Sequence, residues 1–273
     1  MFRDRGVEIK TPEQIELMRA AGLVVGRTLE LVRSTARAGV TTAELDGLAE
    51  NHIRGSGATP SFKGYAEPPF PASICVSVND EIVHGIPGAR RLVEGDVVSV
   101  DCGAIVDGWH GDAAVTFGIG EVSEEAERLM QVTEESLWRG IGAARLGGRV
   151  TDISHAIESY IRGQSTYGIV EDYTGHGIGS AMHQPPNVPN HGKPGRGPRL
   201  TRGLALAVEP MVVVGNQDNL ILDDDWTVAT ADGSLAAHFE HTFTLTDRGA
   251  WVLTALDGGQ ERLAAMGVPY GGH

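Results

Sequence analysis

The sequence predicts an α+β fold, a largely antiparallel sheet flanked by helices and divided into two similar halves. Three observations carry that expectation. Helical stretches are interleaved with hairpin-like strand pairs rather than with single strands. An order of long helix, glycine-containing break and shorter helix occurs twice. An Asp-Gly turn joins two runs rich in β-branched residues. With 273 residues, 41% of them apolar and 21% charged, the chain can bury a substantial core. It reads as one domain over 1–273, with tails at 1–8 and 258–273.

The elements follow from local chemistry. Thr11-Pro12-Glu13-Gln14 places a capping hydroxyl, a proline at the first helical position and a glutamine three residues after the cap, which opens a helix. Ile15, Met18, Ala21, Val25 and Leu29 continue it at helical spacing to about Arg37, where Gly39 stops it. Thr41-Thr42-Ala43-Glu44 opens a second helix to about Arg54. Ser123 to about Arg145 and Thr151 to about Gly163 repeat the pair, with Gly39-Val40-Thr41 echoed by Gly148-Arg149-Val150-Thr151. Strands are expected at Ile74–Val78, Val97–Val106, Trp109–Ile119, Leu204–Val214, Trp226–Ala229 and His238–Thr246.

Composition removes several classes of function. Twenty-two basic against thirty-six acidic side chains give a net charge of −14, which disfavours general binding to DNA or to anionic membranes. Apolar runs are too short to span a bilayer, and the charged start Met1–Lys10 lacks the apolar core of a secretory signal. The two cysteines, Cys75 and Cys102, make no disulfide framework and suit a reducing cytoplasm. Lys193, Arg196, Arg199 and Arg202 form a basic exception, read as a solvated loop, with docking to an anionic partner as the sharper alternative. GxGxxG, P-loop, GxSxG and HExxH motifs are absent.

The stretch Val97-Val-Ser-Val-Asp101-Cys-Gly-Ala-Ile-Val-Asp107-Gly108-Trp-His-Gly-Asp112 carries the chemistry. A two-residue turn at Asp107-Gly108 pairs residue i with residue 215−i, so Asp112 faces Gly103 and Asp101 lies two residues along on the same face. The two carboxylates are then diagonal neighbours roughly 7–8 Å apart at the backbone, with Gly103 expected to leave open space between them. Buried together they repel, so they need cations or protons. Three further segments place metal-binding types in apolar or glycine-rich settings. His176 sits between Gly175 and Gly177, where the backbone can pass close to a ligand; Glu209 ends an apolar strand before Pro210; Glu240 lies inside a strand pattern. One imidazole and four carboxylates suit a pair of borderline divalent ions. His110 falls on the face of Asp112 and is expected to support it rather than to ligate.

At these residues the sequence closely resembles the type I methionine aminopeptidases, from about Ile9 to Leu253. The motifs are Ser77-Val-Asn79-Asp-Glu-Ile-Val-His84-Gly-Ile-Pro87, Asp101-Cys-Gly with His110-Gly-Asp112, Gly175-His176-Gly-Ile-Gly179, Val208-Glu209-Pro-Met211 and Phe239-Glu240-His241-Thr242. The resemblance implies the pita-bread (creatinase/aminopeptidase) fold, two pseudo-symmetric halves around a central antiparallel sheet. It implies that Asp112 and Glu240 bridge two metals, that Asp101 chelates one, and that His176 and Glu209 bind the other. The divalent ions expected are Co²⁺, Mn²⁺, Fe²⁺ or Zn²⁺, with a monovalent cation near Asn79.

By the same resemblance His84, His183 and Glu209 are catalytic. The two histidines, with Phe62, Tyr65, Phe70, Cys75, Met182 and Trp226, line a pocket for a methionine side chain. The family's form of Tyr65–Cys75 is shorter and has a second tyrosine where Phe70 falls, so the Glu67-Pro68-Pro69 insertion bears on the pocket rim. The implied activity is removal of an N-terminal methionine from nascent proteins and peptides when the second residue is small, by water activated between two metals. The implied partners are nascent N termini and, to be tested against the −14 charge, the ribosome. No DNA or membrane partner is expected, and the chain is read as a cytoplasmic monomer. Prolidases and X-Pro aminopeptidases share the five ligands, but they usually carry a large extra N-terminal domain. A metal-free binding module of the same fold would lose ligands that this chain retains.

Overall fold

The computed structural model describes residues 6–273. Four helices form two long–short pairs: α1 (Pro12–Thr35) with α2 (Thr42–Gly55), and α3 (Glu124–Ala143) with α4 (Val150–Gln164). The capping boxes close as their residue types require. Thr11 and Gln14 exchange side-chain and backbone hydrogen bonds at the start of α1, as do Thr41 and Glu44 at the start of α2. Each such cap stabilises its helix by about 1 kcal/mol.

The strands build an α+β, pita-bread arrangement around one curled nine-stranded sheet whose pairings are antiparallel, with two three-stranded sheets beside it. Strands Val97–Val106 and Trp109–Gly118 pair in the expected register, Gly103 opposite Asp112 and every pair summing to 215. Asp107 and Gly108 both have positive φ, 48° and 82°, as the mirror-image hairpin turn demands. Two separate apolar cores lie under the helix pairs. Val25, Val32, Leu45 and Ile53 pack on Val98, Val100 and Cys102 in the first half. Leu129, Ile141, Ile153 and Ile157 pack with Leu206, Val208 and Phe243 in the second.

Three expected strands differ, for backbone reasons. Leu204–Val214 is two strands, Ala205–Val208 and Met211–Val213, because Pro210 offers no N–H to a ladder. His238–Thr246 breaks at Phe239, giving Ala236–His238 and Glu240–Thr246. The segment expected at Trp226–Ala229 begins at Val228, since the N–H groups of Trp226 and Thr227 both donate to Asp224 Oδ1, at 2.9 and 2.7 Å. At Pro210 the chain crosses from the central sheet to a three-stranded one, and at Phe239 it crosses back.

The C-terminal stretch 258–273 is not a tail. It forms α5 (Gln260–Ala265), buries Leu263 in the second core, and pairs Tyr270 with Ala250. Most of the expected tail 1–8 lies outside the described residues; at its end, Glu8 is hydrogen-bonded to Ser180. The basic loop is tied down at its centre, where Arg196 N–H donates to Thr151 Oγ1 at the start of α4.

Candidate metal centre and its cavity

Register alone gathers the acidic residues. Asp101 pairs with Ala114, Ala114 pairs with Glu240, and the ladder His241–Val208 continues to Glu209 beside Glu240. Two residues along the strands, a second row runs from Gly103 through Asp112 and Thr242 to Ala207 and His176, with the Thr242 hydroxyl donating to Asp112 O at 2.8 Å. Residues two apart on a strand share a face, so both rows point the same way. The even-numbered neighbours Val100, Cys102 and Ala104 point instead into the core under α1 and α2.

This face is the floor of a cavity of about 210 Å³. The thirteen residues read as ligands, catalytic groups or pocket lining all border it: Asp101, Asp112, His176, Glu209 and Glu240; His84 and His183; Phe62, Tyr65, Phe70, Cys75, Met182 and Trp226. His110 and Asn79 do not. One donor atom each from Asp112, His176 and Glu240 lies within 4.8 Å of the others, and the same holds for Glu209, His238 and Glu240. His176 Nε2 is 3.4 Å from Glu209 Oε1.

The electrostatics match a cation site. Burial pushes Asp101 up to about 7. Burial first, and then the neighbouring carboxylates, push Asp112, Glu209 and Glu240 well above the usual range. Burial also lowers His176 to about 3, which keeps it a neutral donor. Asp101 Oδ1, Asp112 Oδ1, Glu240 Oε1 and His238 Nε2 are buried without any hydrogen-bond partner. Orphaned buried acceptors of this kind call for a compensating ligand, and oxygen and imidazole donors together fit divalent ions.

The wall is apolar. Phe70 meets Trp226 edge-on at 5.1 Å and Phe62 at 6.5 Å. The insertion leaves Phe70 in the cavity, because Phe70 N–H donates to Tyr65 O and Gly64 N–H donates to Phe70 O, closing the loop at its stem. His84, at φ 61°, turns its ring between Tyr173 and Trp226, and burial lowers it to about 4. The Tyr65 hydroxyl lies 2.6 Å from His183 Nδ1.

Two readings of the glycines change. Gly103 does not open space between the aspartates. A Cβ there would come within 2.8 Å of Ser61 and Phe62, so the glycine seats the Phe62 ring in the cavity wall. The glycines around His176 serve close strand packing rather than ligand approach: a Cβ at Gly175 would meet Ala207 O at 2.4 Å, and one at Gly177 would meet Pro185 O at 2.3 Å. His110 lies outside both donor groups, with Nδ1 3.0 Å from Ser61 Oγ. Asn79 spends its amide on Asp96 and Val97, and its carbonyl accepts from Ala236 N–H.

Four residues of the site escaped the sequence reading, Ala66 among them. Tyr173 and Thr174 line the cavity without any periodic signal, and His238 is separated from Glu240 by the break at Phe239, so the two-residue period of a strand does not place it.

A curled antiparallel sheet that gathers two buried and two half-buried carboxylates with a neutral imidazole defines a metal-dependent hydrolase of the pita-bread class. Residues 16–247 match the sequence model of metallopeptidase family M24, and the chain belongs to that family. It is 55% identical over 247 residues to the methionine aminopeptidase of Clostridium acetobutylicum, covering 90% of this chain and 98% of that one. The crystal structure of methionine aminopeptidase from Thermotoga maritima superposes with a TM-score of 0.88 at 41% identity, covering 91% of this chain and 99% of that one. The prolidase of Pyrococcus furiosus, 21% identical with a TM-score of 0.72, shares the fold; this chain covers 65% of it. Among the described residues, no helix is long and apolar enough to cross a membrane.

Proposed function

We propose that the chain removes an N-terminal methionine from nascent proteins and peptides whose second residue is small, using two divalent ions held by Asp101, Asp112, His176, Glu209 and Glu240. The observation that carries this reading is the shared cavity, with a carboxylate floor at one end and an aromatic wall at the other. Its relatives' activity on methionine supports the choice of substrate.

Bound at the floor, the ions supply Lewis acidity and make water nucleophilic near neutral pH. The remaining work falls to side chains. Phe62, Phe70 and Trp226 receive the unbranched thioether, each sulfur–aromatic contact contributing about 0.3–1.5 kcal/mol. Glu209 takes the proton of the attacking water and returns it to the leaving nitrogen. A neutral His183 that accepts at Nδ1 from the Tyr65 hydroxyl, 2.6 Å away, carries its proton on Nε2 and donates it to the carbonyl oxygen as charge develops there. His84, kept neutral by burial, holds the amide near the leaving nitrogen. Both cysteines are free and buried, which suits a cytoplasmic setting among nascent chains.

The test is release of free methionine by metal-stripped protein reconstituted with each divalent ion, on Met-Ala-Ser against Ala-Pro-Ala peptides. Release from Met-Ala-Ser alone, restored by metal, is the expected outcome. Cleavage of Ala-Pro-Ala would favour a prolidase-like specificity, and no cleavage of either would end the reading.

A further inference from the structure

We propose that His238 is a further metal ligand, adding a second imidazole to the centre on the side of Glu209. The assignment rests on the two-ion reading above and extends its donor set to a residue that the family comparison did not suggest.

Topology brings His238 against Glu209 and Glu240, behind the cavity floor rather than lining it. It ends strand Ala236–His238 and pairs with Met211, while His241 pairs with Val208 in the central sheet. The two chain breaks, Glu209-Pro210 and Phe239, therefore face one another. His238 and Glu240 flank one break, and Glu209 lies at the other. The backbone of His238 is held at both ends by a single side chain: its N–H donates to Thr116 Oγ1 at 2.9 Å, and the same hydroxyl donates to His238 O at 2.6 Å. The ring is thus carried by a fixed backbone rather than by a free loop.

The donor atom is poised and unused. His238 is 1% exposed, and its Nε2 is buried without a hydrogen-bond partner. It lies 3.8 Å from Glu209 Oε2 and 4.0 Å from Glu240 Oε2. Those separations are too long for hydrogen bonds. They fit two donors on one ion, since atoms each about 2.1 Å from a metal lie at most about 4.2 Å apart. Glu209 consequently stands between two imidazoles, Oε1 toward His176 at 3.4 Å and Oε2 toward His238. An orphaned buried nitrogen is costly, and ligation is what relieves it without moving the backbone.

The chemical consequence concerns which metal is held. A neutral nitrogen donor adds affinity for the borderline ions Fe²⁺, Co²⁺ and Zn²⁺ more than for Mn²⁺, which prefers oxygen. This chain should discriminate between Co²⁺ and Mn²⁺ more strongly than four carboxylates and one imidazole would.

The experiment uses the full chain, stripped with a chelator and titrated with Co²⁺ and separately with Mn²⁺, read by calorimetry and by the visible cobalt bands. Wild type, His238→Gln and His238→Ala are compared, with melting of the metal-free proteins as the folding control. The glutamine variant keeps size and polarity but replaces the imidazole nitrogen by a harder amide. The expected result is a loss of Co²⁺ affinity at one site, in both variants, that exceeds the roughly 10–100-fold cost of removing an outer-shell partner. The cobalt bands should shift, and the preference for Co²⁺ over Mn²⁺ should shrink. Wild-type affinity and spectrum in both variants would overturn the assignment, even if turnover fell, because that pattern belongs to a residue that only positions Glu209. Failure of both variants to fold without metal would also count against it, by making His238 a structural residue. If the wild type itself takes up no Co²⁺, the two-ion reading fails first.

Discussion

Asp101, Asp112, His176 and Glu240 stand on strands of the central sheet, whereas Phe62, Tyr65, Phe70, Met182 and Trp226 come from connecting segments. Floor and wall of one cavity are thus held by different means. On the floor, ladder hydrogen bonds fix each residue's row and face, and the side chains are buried carboxylates that repel one another. On the wall, aromatic rings hold one another edge to edge, and loop stems such as Tyr65–Phe70 fix where they hang. The floor is electrostatically strained until cations arrive, while the wall is at rest without them. Changes to the floor should therefore be read in metal content, and changes to the wall in substrate affinity.

The largest effect should come from Glu240→Gln or Asp112→Asn. Glu240 belongs to both donor groups and Asp112 to one of them, and loss of a group acting as part of a unit costs on the order of 10⁴-fold in turnover. Elemental analysis should show metal lost in parallel. The same variants should melt higher than wild type when both are metal-free, because one buried like charge is gone. Full metal content after Glu240→Gln would break the distinction between floor and wall.

Next in size are the histidines that border both regions. His183→Ala should lower kcat by about 10²-fold, the usual cost of losing one donor to a developing oxyanion. His84→Ala should also reduce turnover steeply, and in both variants metal content should stay at the wild-type level. Equal loss of metal from His84→Ala would move it into the ligand set. Further out on the wall, Phe70→Ala should act mainly on KM. Removing the ring between Phe62 and Trp226 takes away about 1–3 kcal/mol of side-chain binding, roughly 10–100-fold in kcat/KM. Unchanged kinetics there would mean that the methionine side chain lies elsewhere.

The same contrast explains what could be read from the sequence. A strand has a period of two, and the turn Asp107-Gly108 sets its register, so the common face of Asp101 and Asp112 followed from counting. His238 did not yield to the same rule, because the break at Phe239 puts it on a different strand from Glu240. The wall has no such period. Phe62, Met182 and Trp226 look like core residues by spacing, and only family likeness singled them out. Where Pro210 and Asp224 captured or withheld backbone donors, strand boundaries moved by several residues, because those are single hydrogen-bond events rather than patterns. The glycines were misread for a related reason. Sequence shows that a side chain is missing, but not which neighbour, Phe62 or Ala207, takes the space.

The smallest effect concerns a strap on the wall. Glu8 accepts from both the N–H and the hydroxyl of Ser180, at 3.0 and 2.6 Å, and Ser180 begins the segment that carries Met182 and His183 into the cavity. Burial opposes its charge, yet the hydrogen bonds from Ser180 and Gln184 and the ammonium of Lys10 prevail and hold Glu8 at about 2. A carboxyl with a lowered folded pKa stabilises the protein above its unfolded value of 4.5, and that contribution is lost as pH falls toward 2. The side chain keeps 30% exposure, so solvent screening limits the contribution to about 1 kcal/mol. In a domain of this size that is a melting shift of about 2 °C. Glu8→Gln should therefore melt about 2 °C below wild type at pH 7 and at pH 5, with the gap closing as pH drops below 4.5. A gap that persists unchanged at pH 2.5 would mean that Glu8 holds the wall by shape rather than by charge.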